Sequence, residues 1–352
     1  MNKDNYLLLN LFLLFYLLKM LDKENDILII NSTKKILIAN KTKLFIVEIE
    51  QEKDTKNITL SKSKKIFALN FPDDILSIHH LISLNKIIVS CISNKTLYLI
   101  SEEIINKDEK ALNEFNLEKD ALIFQSNKKM TSIISYQETP DKYFLLISDK
   151  FGEISIKPVT KFETRESFAK EIKIITGHCD TINFLKLSLD NKLLLSADNF
   201  GKIKIYYFPN IFNVLSVILY HEDEIIYTNF AGEKDKCFFV INKSGNIDLW
   251  SIYDFIKKKE INLTFLNGDK IIEVKTLNKN EYILLKTNKK HFLIKIDDTK
   301  FNIEKIKEID IISENNNNKE KLESKFFENN CKIYQVLFDL DNNKIKEIND
   351  II

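Results

Sequence analysis

Along this chain, short apolar runs alternate with brief polar breaks, and three of the breaks are variants of one another. SDKFGEISI ends at Ile156, ADNFGKIKI at Ile205 and INKSGNIDLW at Trp250. Each sets a glycine (Gly152, Gly201 or Gly245) between an apolar run and a run in which apolar and polar residues alternate. The chain has six glycines, so half of them mark one repeated event. A glycine break between such runs predicts two antiparallel strands joined by a tight turn.

The same pattern extends outward in degenerate form. KILIANKTKLFIVEI turns at Asn40, Lys41 and Thr42, and KIIVSCISNKTLYLI at Asn94, Lys95 and Thr96. YILLKTNKKHFLIKI turns at Asn288 and Lys289, and YQVLFDLDNNKIKEI at Asn342 and Asn343. Asparagine tolerates the left-handed backbone of such turns, so it is expected to stand in for glycine. Hairpins recurring at roughly 45 residues are the signature of a WD40-type β-propeller, and counting them gives about seven blades. A β-sandwich would show turn signals at about 8–12 residues but no larger period. The fold class expected is therefore all-β, with residues 22–352 forming a single propeller domain. Two stretches break the pattern, near 101–129 and 314–330, and read as solvated loop inserts, the first with room for a short helix.

The fullest repeat runs from Gly177 and His178 through Thr181–Phe184, a turn at Asp190 and Asn191, and strands over Leu193–Ser196 and Ile203–Tyr206. WD repeats close a hydrogen-bonded set from an opening His, a strand Ser, a turn Asp and a closing Trp. Here His178 and Ser196 are present, Phe200 stands where the turn Asp is expected, and Tyr206 stands for Trp. His221 opens the next repeat and Trp250, the chain's one tryptophan, closes it. Gly152, His178, Ser196, Gly201, Tyr206, His221, Gly245 and Trp250 are thus read as structural WD-repeat residues.

Charge narrows the function classes. The 52 Lys+Arg against 51 Asp+Glu leave a net charge of +1, without the overall basic excess of an autonomous nucleic-acid binder. Cys91, Cys179, Cys237 and Cys331 are scattered, with no C-x-x-C pair for a metal, and fit a reducing compartment. No glycine-rich phosphate cradle, paired-carboxylate motif or Ser/His/Asp arrangement stands out, and the histidines are only His79, His80, His178, His221 and His291. No catalytic residue, metal site or cofactor of its own is expected. Residues 1–21 are the one segment that suggests a membrane, but the uncharged run Tyr6–Leu18 is short for a spanning helix. It also lacks a small-residue cleavage site after it, so packed element, anchor and targeting signal all stay open.

The order DKFGEISI, TGHCDTINFLKLS, SADNFGKIKIYYFPNIFNV, LYHEDEIIYTNF, within Lys142–Trp250, resembles the WD-repeat non-catalytic subunit of tRNA (guanine-N7) methyltransferase. Asp149-Lys150-Phe151-Gly152, Ser196-Ala197-Asp198, Lys202-Ile203-Lys204-Ile205, Phe208-Pro209 and Phe212-Asn213-Val214 carry the likeness. The resemblance implies a scaffold that stabilises a separate catalytic chain, with S-adenosylmethionine on that partner and tRNA reached through the complex. It implies a nuclear location, with the cytoplasm as alternative. It also implies a partner-facing group of Asp149, Lys150, Asp198, Asn199, Lys202 and Lys204, on turns of two adjacent blades that could share one rim. The family's turn arginine is Asn199 here, which cannot make its ion pair. Either Lys202 or Lys150 supplies the charge, or the interface differs. The competing expectation is a generic WD-repeat interaction adaptor, in a membrane-associated version if the apolar N-terminus anchors it.

Overall fold

The structure is a computed structural model. It describes residues 27–30, 35–48, 66–93, 95–107, 112, 114–170, 173–209, 213–219, 224–232, 236–263, 266, 269–277, 282–287, 290–297, 300, 302–310, 322–329, 332–339 and 344–350. The apolar segment 1–21, His221 and Cys331, as well as the turn residues Asn94, Asn288, Asn342 and Asn343, lie outside them.

Strands follow one another as antiparallel meanders, each pairing with its sequence neighbour. The first sheet holds β1 (Ile27–Ile30), β2 (Lys35–Asn40), β3 (Lys43–Glu48) and β4 (Ile66–Asn70). The second holds β5 (Ile75–Leu81), β6 (Lys86–Cys91), β7 (Thr96–Ser101) and β8 (Ala121–Gln125). In the third are β9 (Met130–Thr139), β10 (Lys142–Asp149), β11 (Glu153–Thr160) and β12 (Lys173–Thr176). The fourth has β13 (Ile182–Leu187), β14 (Leu193–Asp198), β15 (Lys202–Tyr207) and β16 (Val214–Leu219). The fifth has β17 (Ile225–Ala231), β18 (Cys237–Asn242), β19 (Asn246–Ser251) and β20 (Lys257–Asn262). The sixth has β21 (Ile271–Leu277), β22 (Tyr282–Thr287), β23 (Lys290–Asp297) and β24 (Asn302–Asp310). Three strands, β25 (Leu322–Asn329), β26 (Lys332–Asp339) and β27 (Lys344–Asp350), form a last sheet. The chain divides into two compact units, Met1–Gly177 and His178–Ile352.

In the second and fifth sheets the inner strands are apolar at consecutive positions because the sheet is covered on both faces. In the first unit, Ile87 and Val89 of β6 pack with Leu37, Leu44 and Ile46 of the first sheet. Ile88, between them in sequence, packs with Leu145 and Ile147 of the third. The second unit repeats the device in β18: Phe239 and Ile241 join Ile283, Leu285 and Phe292, whereas Phe238 and Val240 join Leu195, Ile203 and Ile205.

The structure corrects the reading of 101–129 as a solvated insert. Ser101 caps a short helix α1 (Glu102–Ile105), Asn116 caps α2 (Leu117–Asp120), and the stretch then supplies β8, the outer strand of its sheet. Ile105, Leu112 and Ala121 are buried, so the charged residues around them conceal core positions. The second insert, near 314–330, is corrected as well: Leu322–Asn329 is strand β25, paired to β26 from Leu322↔Asp339 to Asn329↔Lys332.

Phe239 is fully buried between two sheets, whereas Phe200 is 73% exposed. Phe239→Ala is expected to cost about 3–5 kcal/mol, and Phe200→Ala less than about 0.5 kcal/mol. Urea denaturation of both variants checks the contrast.

Candidate functional site

The three glycine turns share one construction. Gly152, Gly201 and Gly245 have φ of 82°, 77° and 85°, the left-handed backbone that glycine adopts without cost. Their N–H groups donate to the carbonyls of Asp149, Asp198 and Asn242 at 3.5, 3.2 and 3.0 Å. The side chains of these same residues reach forward across the turn. Asp198 Oδ1 accepts from the Lys202 N–H at 2.9 Å, and Asn242 Oδ1 from the Asn246 N–H at 2.8 Å. Asp149 Oδ1 accepts from Phe151 at 2.8 Å and Glu153 at 3.1 Å. Burial still raises the Asp149 carboxyl above its usual range, against these donors. Asn85 and Asn191 take the left-handed backbone with φ of 52° and 55°, but in the two described hairpin turns without glycine that residue is lysine: Lys41 and Lys95 hold φ of 49° and 58°, and Asn40 ends a strand.

Beside the second turn lies a buried polar chain. His178 Nδ1 is 2.8 Å from Asp198 Oδ2, and its Nε2 is 2.7 Å from Ser196 Oγ. Tyr206 hydrogen bonds to Ser196 in turn. Burial pushes the His178 ring below its ordinary value, opposed by Asp198 and reinforced by Lys204 and Lys202. The ring is therefore neutral, and it donates from Nδ1 to the carboxylate and accepts at Nε2. The acid of this set is Asp198, not a residue at the position of Phe200, which points to solvent at 73% exposure. Asp–His–Ser connectivity is that of a hydrolytic triad, but Ser196 is 0% exposed, so its oxygen faces no substrate and the set serves to lock the turn.

Trp250 closes the next repeat differently. Ser196 stands five residues before Gly201, whereas Val240 stands five before Gly245, so the corresponding hydroxyl is missing. The buried indole Nε1 has no hydrogen-bond partner among the described residues, and the ring stacks on Phe238 at 6.0 Å. His79 and His80 lie on β5. His79 meets Ser77 Oγ at 3.0 Å and His80 meets Glu102 Oε2 at 2.9 Å. His291 is buried on β23.

The expected partner-facing group divides accordingly. Asp149 and Asp198 are buried and tied into their turns, which corrects their assignment to an exposed interface. Lys150 and Asn199 are exposed, and Asn199 Oδ1 accepts from Asn183 Nδ2. Lys202 and Lys204 are half-buried; Lys202 Nζ lies 3.6 Å from Cys179 Sγ. Burial and neighbouring Lys202 lower the Lys204 ammonium. Asp149 and Lys150 belong to the first unit, the other four to the second. Among the described residues no group of three or more His, Cys, Asp or Glu could hold a metal ion. No helix among them is long and apolar enough to cross a membrane.

These meanders define an all-β protein of the WD40 β-propeller type, and solved structures share the fold. The C-terminal WD40 domain of Sif2 superposes with a TM-score of 0.58 at 15% identity, over 88% of this chain and 78% of that one. A chain of the mitotic checkpoint complex gives 0.55 at 10% identity, over 78% and 76%. No family model matches. In sequence, the chain is similar to wdr4 of Dictyostelium discoideum, the tRNA (guanine-N(7)-)-methyltransferase non-catalytic subunit, at 26% identity over 171 residues. That match covers 45% of this chain and 35% of the relative, so it spans about a third of that protein's length.

Asp198→Ala leaves the neutral His178 ring buried without its acceptor and is expected to cost about 1–3 kcal/mol in chemical denaturation. A second expectation concerns acid. Burial pushes His79 down to about 4, whereas the unfolded ring titrates at 6.5. Between those values the unfolded state binds more protons, so stability falls as pH drops from 6.5 towards 4. His79→Gln should remove about 1.6 kcal/mol of the loss between pH 6.5 and 5, measured from urea midpoints.

Proposed function

We propose that this chain is the non-catalytic, stabilising subunit of a heterodimeric tRNA (guanine-N7) methyltransferase. The observation that carries the reading is the similarity to the Dictyostelium subunit. The turns at Gly152 and Gly201, with their flanking sequences, carry the family's pattern. The WD40-type fold is one that presents turns and strand edges to protein partners, which fits a scaffold. In this reading the catalytic chain holds S-adenosylmethionine and most of the tRNA, and the complex works in the nucleus. The scaffold favours the partner's active conformation by binding it more tightly than the inactive one.

With Asp149 and Asp198 turned inward, the partner contact in this reading rests on Asn199, Lys202 and Lys204 of the second unit. Lysine at Lys202 or Lys204 takes over the charge that Asn199 does not provide. Depleting the chain is expected to remove 7-methylguanosine from bulk tRNA, read by mass spectrometry of nucleosides. Lys202→Glu combined with Lys204→Glu should abolish co-purification of the methyltransferase while the variant chain keeps a cooperative melting transition. Full methylation in depleted cells would overturn the function; retained co-purification would remove the patch.

A further inference from the structure

Three turns of the first unit meet in a basic and aromatic cluster that the scaffold reading does not use. The first is the break between β6 and β7, where Lys95 has a left-handed backbone. The second, Ser126–Lys129, joins β8 to β9, and the third is Asp149–Gly152. They are tied to one another. Lys95 Nζ donates to the Asn127 carbonyl at 3.1 Å, and the Ser126 N–H donates to the Lys95 carbonyl at 2.8 Å. The Lys150 N–H donates to the Lys129 carbonyl at 3.2 Å.

The cluster holds four lysines: Lys95, Lys128, Lys129 and Lys150. Its carboxylates are subdued. Asp149 is buried with its oxygen taken by backbone N–H groups, and Glu153 is half-buried and paired with Lys128. At the centre is Phe151, 56% exposed, with Lys150 Nζ at 4.9 Å and Lys128 Nζ at 5.6 Å from its ring centroid. An aromatic ring held in solvent among cations is a stacking platform beside a phosphate track. Lys95 also lines an adjoining cleft of about 890 Å³, with Asn70, Ser93, Thr96 and Gln125 on its walls and Glu118 at one side. The Thr96 hydroxyl is committed to Gln125 Oε1 at 2.8 Å, whereas the amide of Asn70 and the hydroxyl of Ser93 can read the edge of a base, and the volume falls within that of small-ligand sites.

We propose that this face of the first unit binds single-stranded nucleic acid directly, with phosphates along Lys95, Lys129 and Lys150, a base stacked on Phe151 and a neighbouring nucleotide in the cleft. The near-zero net charge of the whole chain does not oppose this, because the cluster concentrates cations locally while Asp149 turns inward. The proposal does not rest on the methyltransferase reading.

The test uses the full chain purified without any partner, and labelled oligo-uridine and oligo-deoxythymidine followed by fluorescence anisotropy. Binding of either strand should weaken with salt, and Phe151→Ala should weaken it about tenfold. Lys129→Gln with Lys150→Gln should reduce the salt slope by about 1.4, or ~0.7 per lysine. Both variants alter surface positions, and their melting temperatures should match that of the parent. Three results would overturn the proposal: no salt-dependent binding, unchanged affinity in both variants, or displacement by polyglutamate as effective as by unlabelled oligonucleotide, which marks an acidic protein surface instead. Because only this chain is present, a failure here bears on this surface and leaves the co-purification outcome independent.

Discussion

A sheet with two apolar faces cannot stand alone in water, and that constraint governs each unit of this protein. In β6 and β18 successive side chains leave in opposite directions, and every one of them must be covered. One neighbour covers Phe239 and Ile241, and another covers Phe238 and Val240. Burial of one such aromatic contributes on the order of 2–3 kcal/mol, and each inner strand carries several. The turns then have little freedom, because a slip of one residue would exchange the two cores. The glycine turns with their forward-reaching Asp or Asn side chains fix that register.

The repeat was legible in the sequence because glycine is scarce here. With six in the chain, three in one context could hardly serve three purposes. The strands around them followed from apolar runs and tight turns. The division of labour within each turn was harder to read. Asp198 resembles any polar turn residue, and only its distance to His178 assigns it to the buried chain. The usual spacing pointed two residues further on, to Phe200, and the carboxylate instead arrives from the end of β14. Lys41 and Lys95 hold left-handed backbone that residue preference assigns to asparagine, because strand pairing on either side determines the geometry there.

Charge misled in the same way in the stretch after Ser101. Its acids and lysines are local decoration on a segment whose Ile105, Leu112 and Ala121 enter the core. A net charge of +1 conceals local concentrations of one sign, as at Lys95, Lys128, Lys129 and Lys150. Composition averages over the surface, whereas binding responds to the potential a few ångströms from particular side chains. The chain's only arginine, Arg165, is spent on structure: its guanidinium donates to the Glu118 and Lys119 carbonyls at 2.6 and 2.7 Å. Recognition of anions by the described surface therefore falls mainly to lysine, a point charge that attracts phosphate or carboxylate without the forked geometry that selects between them.

Selectivity must then come from what surrounds the lysines, and the turns show where such variation is tolerated. In each glycine turn the first residue and the glycine are locked, by side-chain hydrogen bonds and by backbone conformation respectively. The two residues between them are Lys150 and Phe151, Asn199 and Phe200, and Lys243 and Ser244. All six are exposed, and the fold asks little of their chemistry. A substitution there changes what the surface offers without moving the strands beneath it. The exchange of an expected arginine for Asn199 falls in one of these places, so it alters charge at a site whose backbone is held by Asp198 and Gly201. The rigid part of the turn presents the variable part, and the chemistry of the surface can change while the core stays the same.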